Sequence, residues 1–243
     1  MASLKNKIAV ITGASSGIGQ VVALGLAAKG VKTCLLGRKL ATLEGVAKLA
    51  RKTAPQVLCY QVDLAVDQDV RKIADLIQQD LGHVDMLIHS AGVISLGRLE
   101  SAPVEDFDRQ FRVNVRAPYA LTQAFLPLLR SDDGGQIVFI NSSAGLNAGP
   151  NVGQYAATKH ALKAVADSLR HEVNGEGLRV LSIYPGRTAS PMQAAVFKME
   201  GREYRPELLM QPEDLASVVI NALALPRSAE VTDINVRPLI KSS

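Results

Sequence analysis

The sequence predicts an α/β fold built on a doubly wound parallel sheet of about seven strands, with helices on both faces. Short apolar, β-branched segments alternate with longer segments of helical period from one end of the chain to the other. The apolar segments contain few polar positions, as residues 8–11 and 84–88 show, which is typical of parallel strands buried on both faces. Because no linker-like composition interrupts the alternation, residues 1–243 are predicted to form a single domain.

The predicted strands and helices follow one another along the whole chain, and right-handed crossovers place the helices on both sides of the sheet. The strands are predicted at residues 8–12, 31–36, 57–62, 84–89, 136–141, 179–184 and 231–236. The helices are predicted at residues 17–29, 39–52, 67–81, 104–130 with a new start at Pro118, 153–173 and 212–223. Ligands bind beyond the carboxyl ends of the strands in such sheets, so functional residues are expected directly after each strand.

The composition indicates a soluble protein with one large core. Of the 243 residues 47% are hydrophobic, and the net charge of +4 is spread along the chain, so nucleic-acid binding is not expected. Cys34 and Cys59 lie in apolar segments, which predicts buried reduced thiols and a reducing compartment. The sequence begins without a leader pattern and has no apolar stretch of about 18 residues, so we expect a complete, cytoplasmic protein without membrane association.

A glycine-rich turn with Gly13, Gly17 and Gly19 follows the first predicted strand and opens a helix. Free N–H groups at a helix start attract an anion, and glycines let the backbone approach it closely, so a pyrophosphate is the expected ligand. Three residues separate the first two glycines, whereas the commoner dinucleotide fingerprint has one. A glycine-rich helix entry without a ligand gives the same pattern, so the turn alone does not decide between the two.

Tyr155 and Lys159 are four residues apart, so one helical turn places a phenol and an ammonium on the same face. Such a pair combines a general acid with a cation that favours the phenolate and lowers the pKa of the phenol. Exposed helices produce the same spacing by chance. Asn114 and Ser142, which precede the pair, are therefore part of the argument.

Further motif residues complete the pattern. They are Thr12, Gly13, Gly17, Ile18, Gly19, Asp63, Ala91, Gly92, Asn114, Ser142, Tyr155, Lys159, Pro185 and Gly186. In order and spacing these residues resemble the short-chain dehydrogenase/reductase family over essentially the whole chain. The resemblance implies a Rossmann fold, a nicotinamide dinucleotide cofactor, and hydride transfer that requires no metal.

The resemblance also implies the catalytic roles. Tyr155 is the general acid/base, Lys159 lowers its pKa and holds the nicotinamide ribose, and Ser142 binds the reacting oxygen. Asn114 holds a water in the proton relay. Ser142 matches better than Ser143, because it lies thirteen residues before Tyr155. Without the resemblance, the sequence equally allows Asn114 to be an ordinary buried amide bound by the backbone, and Ser142 to be a residue that merely ends a strand.

The implied cofactor contacts come from the segments after successive strands. They are Gly13, Ser15, Ser16, Gly17, Ile18, Gly19, Arg38, Asp63, Leu64, Ser90, Ala91, Gly92, Tyr155, Lys159, Pro185, Gly186 and Thr188. Asp63 is expected near the adenine ring, and it is also the type of residue that forms a turn or caps a helix after a strand. Thr188 is expected at the nicotinamide carboxamide.

The end of the second strand favours NADP(H) over NAD(H). An acid there would bind the ribose 2′-hydroxyl and repel a 2′-phosphate, but the chain has Gly37, Arg38 and Lys39. Arg38 is expected to pair with the phosphate; the alternative is that Arg38 and Lys39 are solvated residues at a helix start. Ser16 is uncharged where many NADP-preferring relatives have a basic residue, although Ser15 and Ser16 can still donate hydrogen bonds.

The chain departs from the family pattern at His89 and Ser90, where two asparagines are usual. We expect His89 to be a core histidine without a role in catalysis. Residues 187–211 are expected to include a substrate lid, or else a plain surface helix at 194–200. Arg187 is expected to be solvated, or else to pair with a substrate carboxylate.

The expected reaction is the interconversion of a carbonyl and a secondary alcohol with NADP(H), on a small hydroxy acid, ketone or aldehyde. A 3-oxoacyl-[acyl-carrier-protein] reductase is one alternative, and a non-catalytic NADP(H)-binding sensor is another. A homo-oligomer, either dimer or tetramer, is usual for the resemblance. The substrate pocket is expected to be mostly apolar and lined by Val93, Ile94, Leu96, Leu146, Asn147, Gln154, Phe197 and Met199.

Overall fold

A parallel sheet of seven strands forms the centre of the computed structural model, which describes residues 2–130 and 134–239. The strands are β1 (Ile8–Thr12), β2 (Lys32–Gly37), β3 (Val57–Gln61), β4 (Met86–His89), β5 (Gln136–Ile140), β6 (Arg179–Pro185) and β7 (Asp233–Val236). Their spatial order is β3-β2-β1-β4-β5-β6-β7. The strand order reverses between β1 and β4, which confirms the predicted doubly wound sheet. Met1 and residues 131–133 and 240–243 of the predicted domain lie outside the described residues.

Helices connect the strands. They are α1 (Gly17–Ala28), α2 (Leu40–Ala50), α3 (Asp67–Leu81), α4 (Val104–Phe111), α5 (Ala117–Leu129), α6 (Gly153–Val173), α7 (Pro191–Met199) and α8 (Pro212–Leu223). Among the residues described, no helix is both long enough and apolar enough to cross a membrane.

Alternate residues of each central strand point into two cores on opposite faces of the sheet. Ala9 and Ile11 of β1 belong to the core that α1, α2 and α8 cover, whereas Ile8 and Val10 belong to the core that α3, α5 and α6 cover. Every residue of β1 is buried. This burial on both faces explains why the strand is apolar at nearly every position.

Three predicted elements differ from the structure, and one of them is the seventh strand, which was predicted from residue 231 and begins at Asp233. The fourth strand was predicted from residue 84, but β4 begins at Met86, because the carboxylate of Asp85 accepts the N–H of Ile8 at 2.7 Å. The predicted helix at 104–130 is divided by a π-helical segment, Arg112–Arg116, rather than at Pro118. The backbone is helical on both sides of Pro118, which lies directly after the π-helical segment, where the hydrogen-bond pattern of the helix changes.

Cys34 and Cys59 are free thiols, as predicted from their strand positions. Cys34 is buried and Cys59 is half-buried. Burial raises the pKa of Cys34 to about 12 and that of Cys59 to about 11. Both groups are therefore protonated and unreactive thiols near neutral pH.

His89 is a core residue at the end of β4, as predicted. Its ring is 4% exposed, stacks on Phe139 with 4.8 Å between the ring centroids, and places Nε2 2.9 Å from the hydroxyl of Thr122. Burial lowers the pKa of His89 to about 3. The imidazole is therefore neutral and forms a hydrogen bond between β4 and α5.

This burial predicts an acid-dependent loss of stability. The pKa of His89 is lower in the folded chain than its ordinary value of 6.5, so the unfolded chain binds the extra proton as the pH falls below 6.5. The free energy of unfolding should decrease by about 1.4 kcal/mol for each pH unit well below 6.5. Urea unfolding of wild type and His89→Asn between pH 7 and pH 5 measures this slope. An equal slope in both proteins would contradict the assignment, whatever their difference in stability at pH 7.

Candidate active site

A cavity of about 500 Å³ lies along the carboxyl ends of the strands and extends from the start of α1 to α7. Every residue predicted to bind the cofactor lines this cavity, and so do Ser142, Tyr155 and Lys159. Asn114 is buried and does not itself line the cavity. The structure thus brings together residues that are distant in the sequence, at the place where the strand order reverses.

The glycine turn forms one end of the cavity. Gly13 and Gly17 have positive φ angles of 66° and 56°, which residues with a Cβ rarely adopt. A Cβ at Gly13 would lie 2.8 Å from the Cα of Ala91, and one at Gly19 would lie 2.5 Å from the carbonyl oxygen of Gly13. In the described part of the chain, the side chain of Ser16 does not cap α1, and the first turn contains no acid. The N–H groups of this turn are therefore suited to a phosphate.

The hydroxyl of Thr12 joins this turn to the loop after β4. It accepts the N–H groups of Ser90 and Ala91 at 3.0 and 3.1 Å, and it donates to the carbonyl oxygen of Ile88 at 3.4 Å. Thr12 had no predicted role of its own. These three contacts fix the loop that departs from the family pattern, where His89 and Ser90 replace two amides.

Tyr155 and Lys159 lie on one face of α6, and Ser142 lies opposite them after β5. Both members of the pair are buried, with exposed fractions of 9% and 4%. The ammonium of Lys159 lies 5.7 Å from the centroid of the Tyr155 ring and donates to the carbonyl oxygen of Ile140 at 3.2 Å. The hydroxyl of Ser142 accepts the N–H of Ala144 at 3.1 Å and lies close enough to the Tyr155 phenol to act against the rise in its pKa.

Burial is the largest influence on the protonation of this pair. It raises the pKa of Tyr155 to about 12, against the hydrogen bond from Ser142, which favours the phenolate. Burial also lowers the pKa of Lys159 to about 8. Lys159 is not among the causes of this shift, so the lowering of the phenol pKa by Lys159 remains a prediction, and desolvation of the phenol is the larger effect here. At neutral pH the phenol holds its proton.

Asn114 lies in the π-helical segment and its side chain is bound by protein groups. Its Nδ2 donates to the carbonyl oxygen of Val93 at 2.9 Å and to the hydroxyl of Thr158 at 3.1 Å, while its Oδ1 accepts the N–H of Val93 at 2.9 Å. Both amide hydrogens are used, so Asn114 joins three elements around the site. A water held at Asn114 remains a prediction.

Asn141 is a second buried amide that the sequence analysis missed. Its Nδ2 donates to the carbonyl oxygen of Lys159 at 3.1 Å, which attaches α6 to the end of β5. The available signal was a polar residue directly after a buried strand and before Ser142. A Cβ at Gly145 would lie 2.7 Å from the Oδ1 of Asn141, so the close packing there also requires glycine.

Asp63 and Arg38 line the cavity beside the glycine turn, away from Tyr155. The carboxylate of Asp63 accepts the N–H of Ala65 at 3.0 Å, so Asp63 forms a turn and also lines the cavity. Arg38 lines the cavity and has no acidic partner within the described ranges. Its guanidinium is therefore free to bind an anion.

Comparison with known proteins agrees with this arrangement. A family model described as short chain dehydrogenase matches residues 7–201. The chain belongs to the short-chain dehydrogenase family. An uncharacterized oxidoreductase of Staphylococcus epidermidis is 30% identical over 239 residues, which cover 98% of this chain and all of that protein.

Two solved structures show the same fold. An alcohol dehydrogenase from the archaeon Thermococcus sibiricus, complexed with 5-hydroxy-NADP, has a TM-score of 0.89 and 26% identity, with 98% of this chain and 99% of that chain covered. A short chain dehydrogenase from Shigella flexneri, complexed with NADP, has a TM-score of 0.88 and 29% identity, with coverage of 97% and 99%. The family is one of oxidoreductases. No cluster of three or more metal-ligating side chains occurs among the described residues of this short-chain dehydrogenase.

The segment after β6 closes the substrate end of the cavity. Arg187 was expected to be solvated or to bind substrate, but its guanidinium pairs with Glu200 at 2.6 Å and lies 5.0 Å from the centroid of the Phe197 ring. Thr188 and Met210 pair in an isolated parallel β-bridge, so the two ends of the segment from Thr188 to Met210 meet. A small separate core lies between these ends and consists of Ala189, Phe197, Leu209 and Tyr204.

The predicted substrate-pocket residues are only partly correct. Val93, Ile94 and Leu96 line the cavity, whereas Leu146, Asn147, Gln154, Phe197 and Met199 do not. Phe197 faces its own small core, and Met192, Gln193 and Val196, on the adjacent face of α7, line the cavity instead. The sequence analysis also missed Arg109 and Val113, which line the cavity from the side of α4.

Thr12 supplies a test of how the loop after β4 is held. Thr12→Val removes the acceptor of two backbone N–H groups, so the free energy of unfolding should fall by about 2 kcal/mol. Thr12→Ser keeps the hydroxyl and should remain within about 1 kcal/mol of the wild type. Chemical denaturation of the three proteins measures both values, and a Val variant as stable as the Ser variant would refute the role of the hydroxyl.

Proposed function

We propose that this short-chain dehydrogenase catalyses NADP(H)-dependent interconversion of a carbonyl compound and a secondary alcohol, with Tyr155 as general acid/base. One observation carries the proposal: the Tyr155 hydroxyl, beside Ser142 and Lys159, lies on the wall of a cavity whose other end is the glycine turn. A dinucleotide that spans this cavity would bring its reactive ring next to a buried proton donor.

NADP(H) rather than NAD(H) is supported at the end of β2. Arg38 lines the cavity there with Gly37, and Ser15 and Ser16 line the adjacent turn. A guanidinium with no described acidic partner can form charge-assisted hydrogen bonds with a ribose 2′-phosphate. The related structures from Thermococcus sibiricus and Shigella flexneri, complexed with 5-hydroxy-NADP and NADP, agree with this choice.

The cavity fits such a cofactor along its length. The turn from Gly13 to Gly19 would hold the pyrophosphate, and Asp63 and Leu64 would lie near the adenine ring. Ser90, Ala91 and Gly92 would lie along the middle of the molecule. Pro185, Gly186 and Thr188 would hold the nicotinamide end, where Lys159 would bind the ribose.

The mechanism needs a proton donor at the reacting oxygen. When bound, NADPH supplies the hydride that forms the new C–H bond. Tyr155 gives its proton to the oxygen of the substrate as negative charge develops there, and the Ser142 hydroxyl donates a hydrogen bond to the same atom. Because burial keeps the pKa of Tyr155 at about 12, the phenol is protonated at neutral pH and ready to act as the acid.

The phenol must recover its proton after each reduction. The Lys159 ammonium lies 5.7 Å from the Tyr155 ring centroid and stabilises the phenolate formed in the reaction. We assign the return of the proton to Lys159 and a water near Asn114. In the direction of oxidation the same groups act in reverse, with the phenolate as base.

Small hydroxy acids, ketones and aldehydes are the proposed substrates, because the described cavity wall beside Tyr155 is mostly apolar. A 3-oxoacyl-[acyl-carrier-protein] reductase would instead prefer an acetoacetyl thioester. A non-catalytic sensor would bind NADPH and turn over none of these compounds. Steady-state rates with acetoacetate, its methyl ester, a simple aldehyde and an acetoacetyl thioester separate the three functions.

We also propose that the enzyme is a cytoplasmic homo-oligomer, either a dimer or a tetramer. The free thiols of Cys34 and Cys59 support a reducing compartment. Phe111 and Tyr119 expose 44% and 50% of their surface along α4 and α5, and a second copy of the chain would bury them. A sedimentation mass equal to one chain would contradict this assembly.

Replacement of the proton donor tests the mechanism. Tyr155→Phe should lower kcat about 10²- to 10⁴-fold, because it removes the general acid, while the Kd of NADPH changes less than about threefold. Tyr119→Phe removes an exposed phenol from α5 and should leave both constants unchanged. Rates and NADPH fluorescence titrations provide the measurements. Wild-type turnover in the Tyr155 variant would rule out the proposed acid.

The cofactor preference has its own test at Arg38. Arg38→Ala should weaken NADPH binding about 10- to 100-fold and leave NADH binding nearly unchanged, because only NADPH has the phosphate that pairs with the guanidinium. Lys39→Ala removes an adjacent charge that does not line the cavity and should have a small effect. Calorimetry measures the Kd of each cofactor for the three proteins. Equal losses of affinity for NADPH and NADH in Arg38→Ala would disprove the pairing of Arg38 with the 2′-phosphate.

A further inference from the structure

Arg109 is a cation of the substrate cavity that the catalytic machinery does not use. It lies in the last turn of α4 and lines the cavity, as do Tyr155 and Ser142. Among the described residues, Arg109 forms neither an ion pair nor a side-chain hydrogen bond. Its five N–H donors are thus available to a ligand.

Hydrogen bonds of the neighbouring amide hold the helical turn that carries Arg109, whose own side chain is exposed where it lines the cavity. The neighbouring residue, Gln110, is 1% exposed; it accepts the N–H of Ser95 at 3.0 Å and donates to Gln154 at 3.2 Å. Gln154 directly precedes Tyr155 in α6. The residues next to Arg109 and to the proton donor are therefore hydrogen-bonded to each other, which sets the distance between the two helices at this point.

The other charged residues of the substrate end are already paired. Glu200 accepts hydrogen bonds from Arg187 at 2.6 and 2.9 Å, and it also pairs with Arg202 at 3.5 Å. Lys159 donates to the Ile140 carbonyl oxygen on the cofactor side of the site. Arg109 is thus the unpaired guanidinium among the described residues of this end of the cavity.

Several apolar side chains line the cavity together with Arg109 and Tyr155. Val93, Ile94 and Leu96 come from the loop after β4, and Val113 comes from the π-helical segment one turn beyond Arg109. A charge-assisted hydrogen bond is stronger beside such a surface than in open water. The cavity is therefore matched to a short molecule with a carbonyl at one end and an anionic group at the other.

We propose that Arg109 binds the carboxylate of the substrate, so that the enzyme prefers oxo acids and hydroxy acids to neutral ketones and esters of the same length. This inference rests on the proposed function and adds the substrate class to it. Arg187 does not take this role, because Glu200 occupies its guanidinium. Binding through Arg109 would hold the carboxylate at the mouth and present the carbonyl to Tyr155 and Ser142.

Acetoacetate and methyl acetoacetate form a matched pair for the test, because they share the reacting ketone and differ in the charge. The wild type should have the higher kcat/KM for acetoacetate. In Arg109→Gln the ratio of kcat/KM for the acid to that for the ester should fall about 10- to 50-fold, mainly through KM, because a charge-assisted hydrogen bond is lost. Arg109→Lys, which keeps the charge and loses the planar fork, should give an intermediate ratio.

Arg112→Gln is the matched control, since Arg112 carries the same charge three residues later and does not line the cavity. This variant should keep the wild-type ratio. The inference is overturned if Arg109→Gln keeps that ratio, if Arg112→Gln lowers it equally, or if the wild type does not favour the acid. Reduction of the ester, and its loss in Tyr155→Phe, reports separately on the proposed function.

If neither compound is turned over, calorimetric titration of the NADP⁺-saturated protein with malonate tests the same residue. The wild type should bind malonate, and Arg109→Gln should bind it at least about tenfold more weakly. Equal binding by the two proteins, or no binding by the wild type, would overturn the inference.

Discussion

The site depends on the close approach of two backbone segments, the turn after β1 and the loop after β4. A Cβ at Gly13 would lie 2.8 Å from the Cα of Ala91, and the Thr12 hydroxyl binds the N–H groups of the same loop. These segments follow the two strands between which the sheet order reverses. One set of contacts therefore fixes the floor of the cavity. A side chain at Gly13 would push apart the turn after β1 and the loop after β4.

Burial has opposite consequences for the two titratable residues of the pair. It holds the proton on Tyr155 and makes the charge of Lys159 more costly, since each effect disfavours the ionised form. Two buried amides fix the position of α6 beside this pair. Asn141 binds the backbone of Lys159, and Asn114 binds Thr158 on the adjacent turn. The helix that carries Tyr155 and Lys159 is thus held in place by hydrogen bonds from two buried amides.

The sequence predicted the sheet and the cavity better than it predicted the lid. Residues of β1 are buried on both faces, and continuous apolar character reports that burial directly. The motif residues follow strands, so the topology alone brings them to one edge. The start of β4 was missed because a single carboxylate, that of Asp85, takes the Ile8 N–H. The orientations of Arg187 and Phe197 depend on contacts with Glu200 and Tyr204, which no local pattern reveals.

The lid segment is tied at its base and packed within itself. The N–H of Ala189 donates to the carbonyl oxygen of Met210 at 2.8 Å, so the chain leaves and returns at one point beside Thr188. Its small core contains Phe197 and is not shared with the sheet. A rotation of such a segment about its base would leave its own interior covered. Under the proposed function, Thr188 at that base would then couple contact with the nicotinamide to the opening and closing of the entrance.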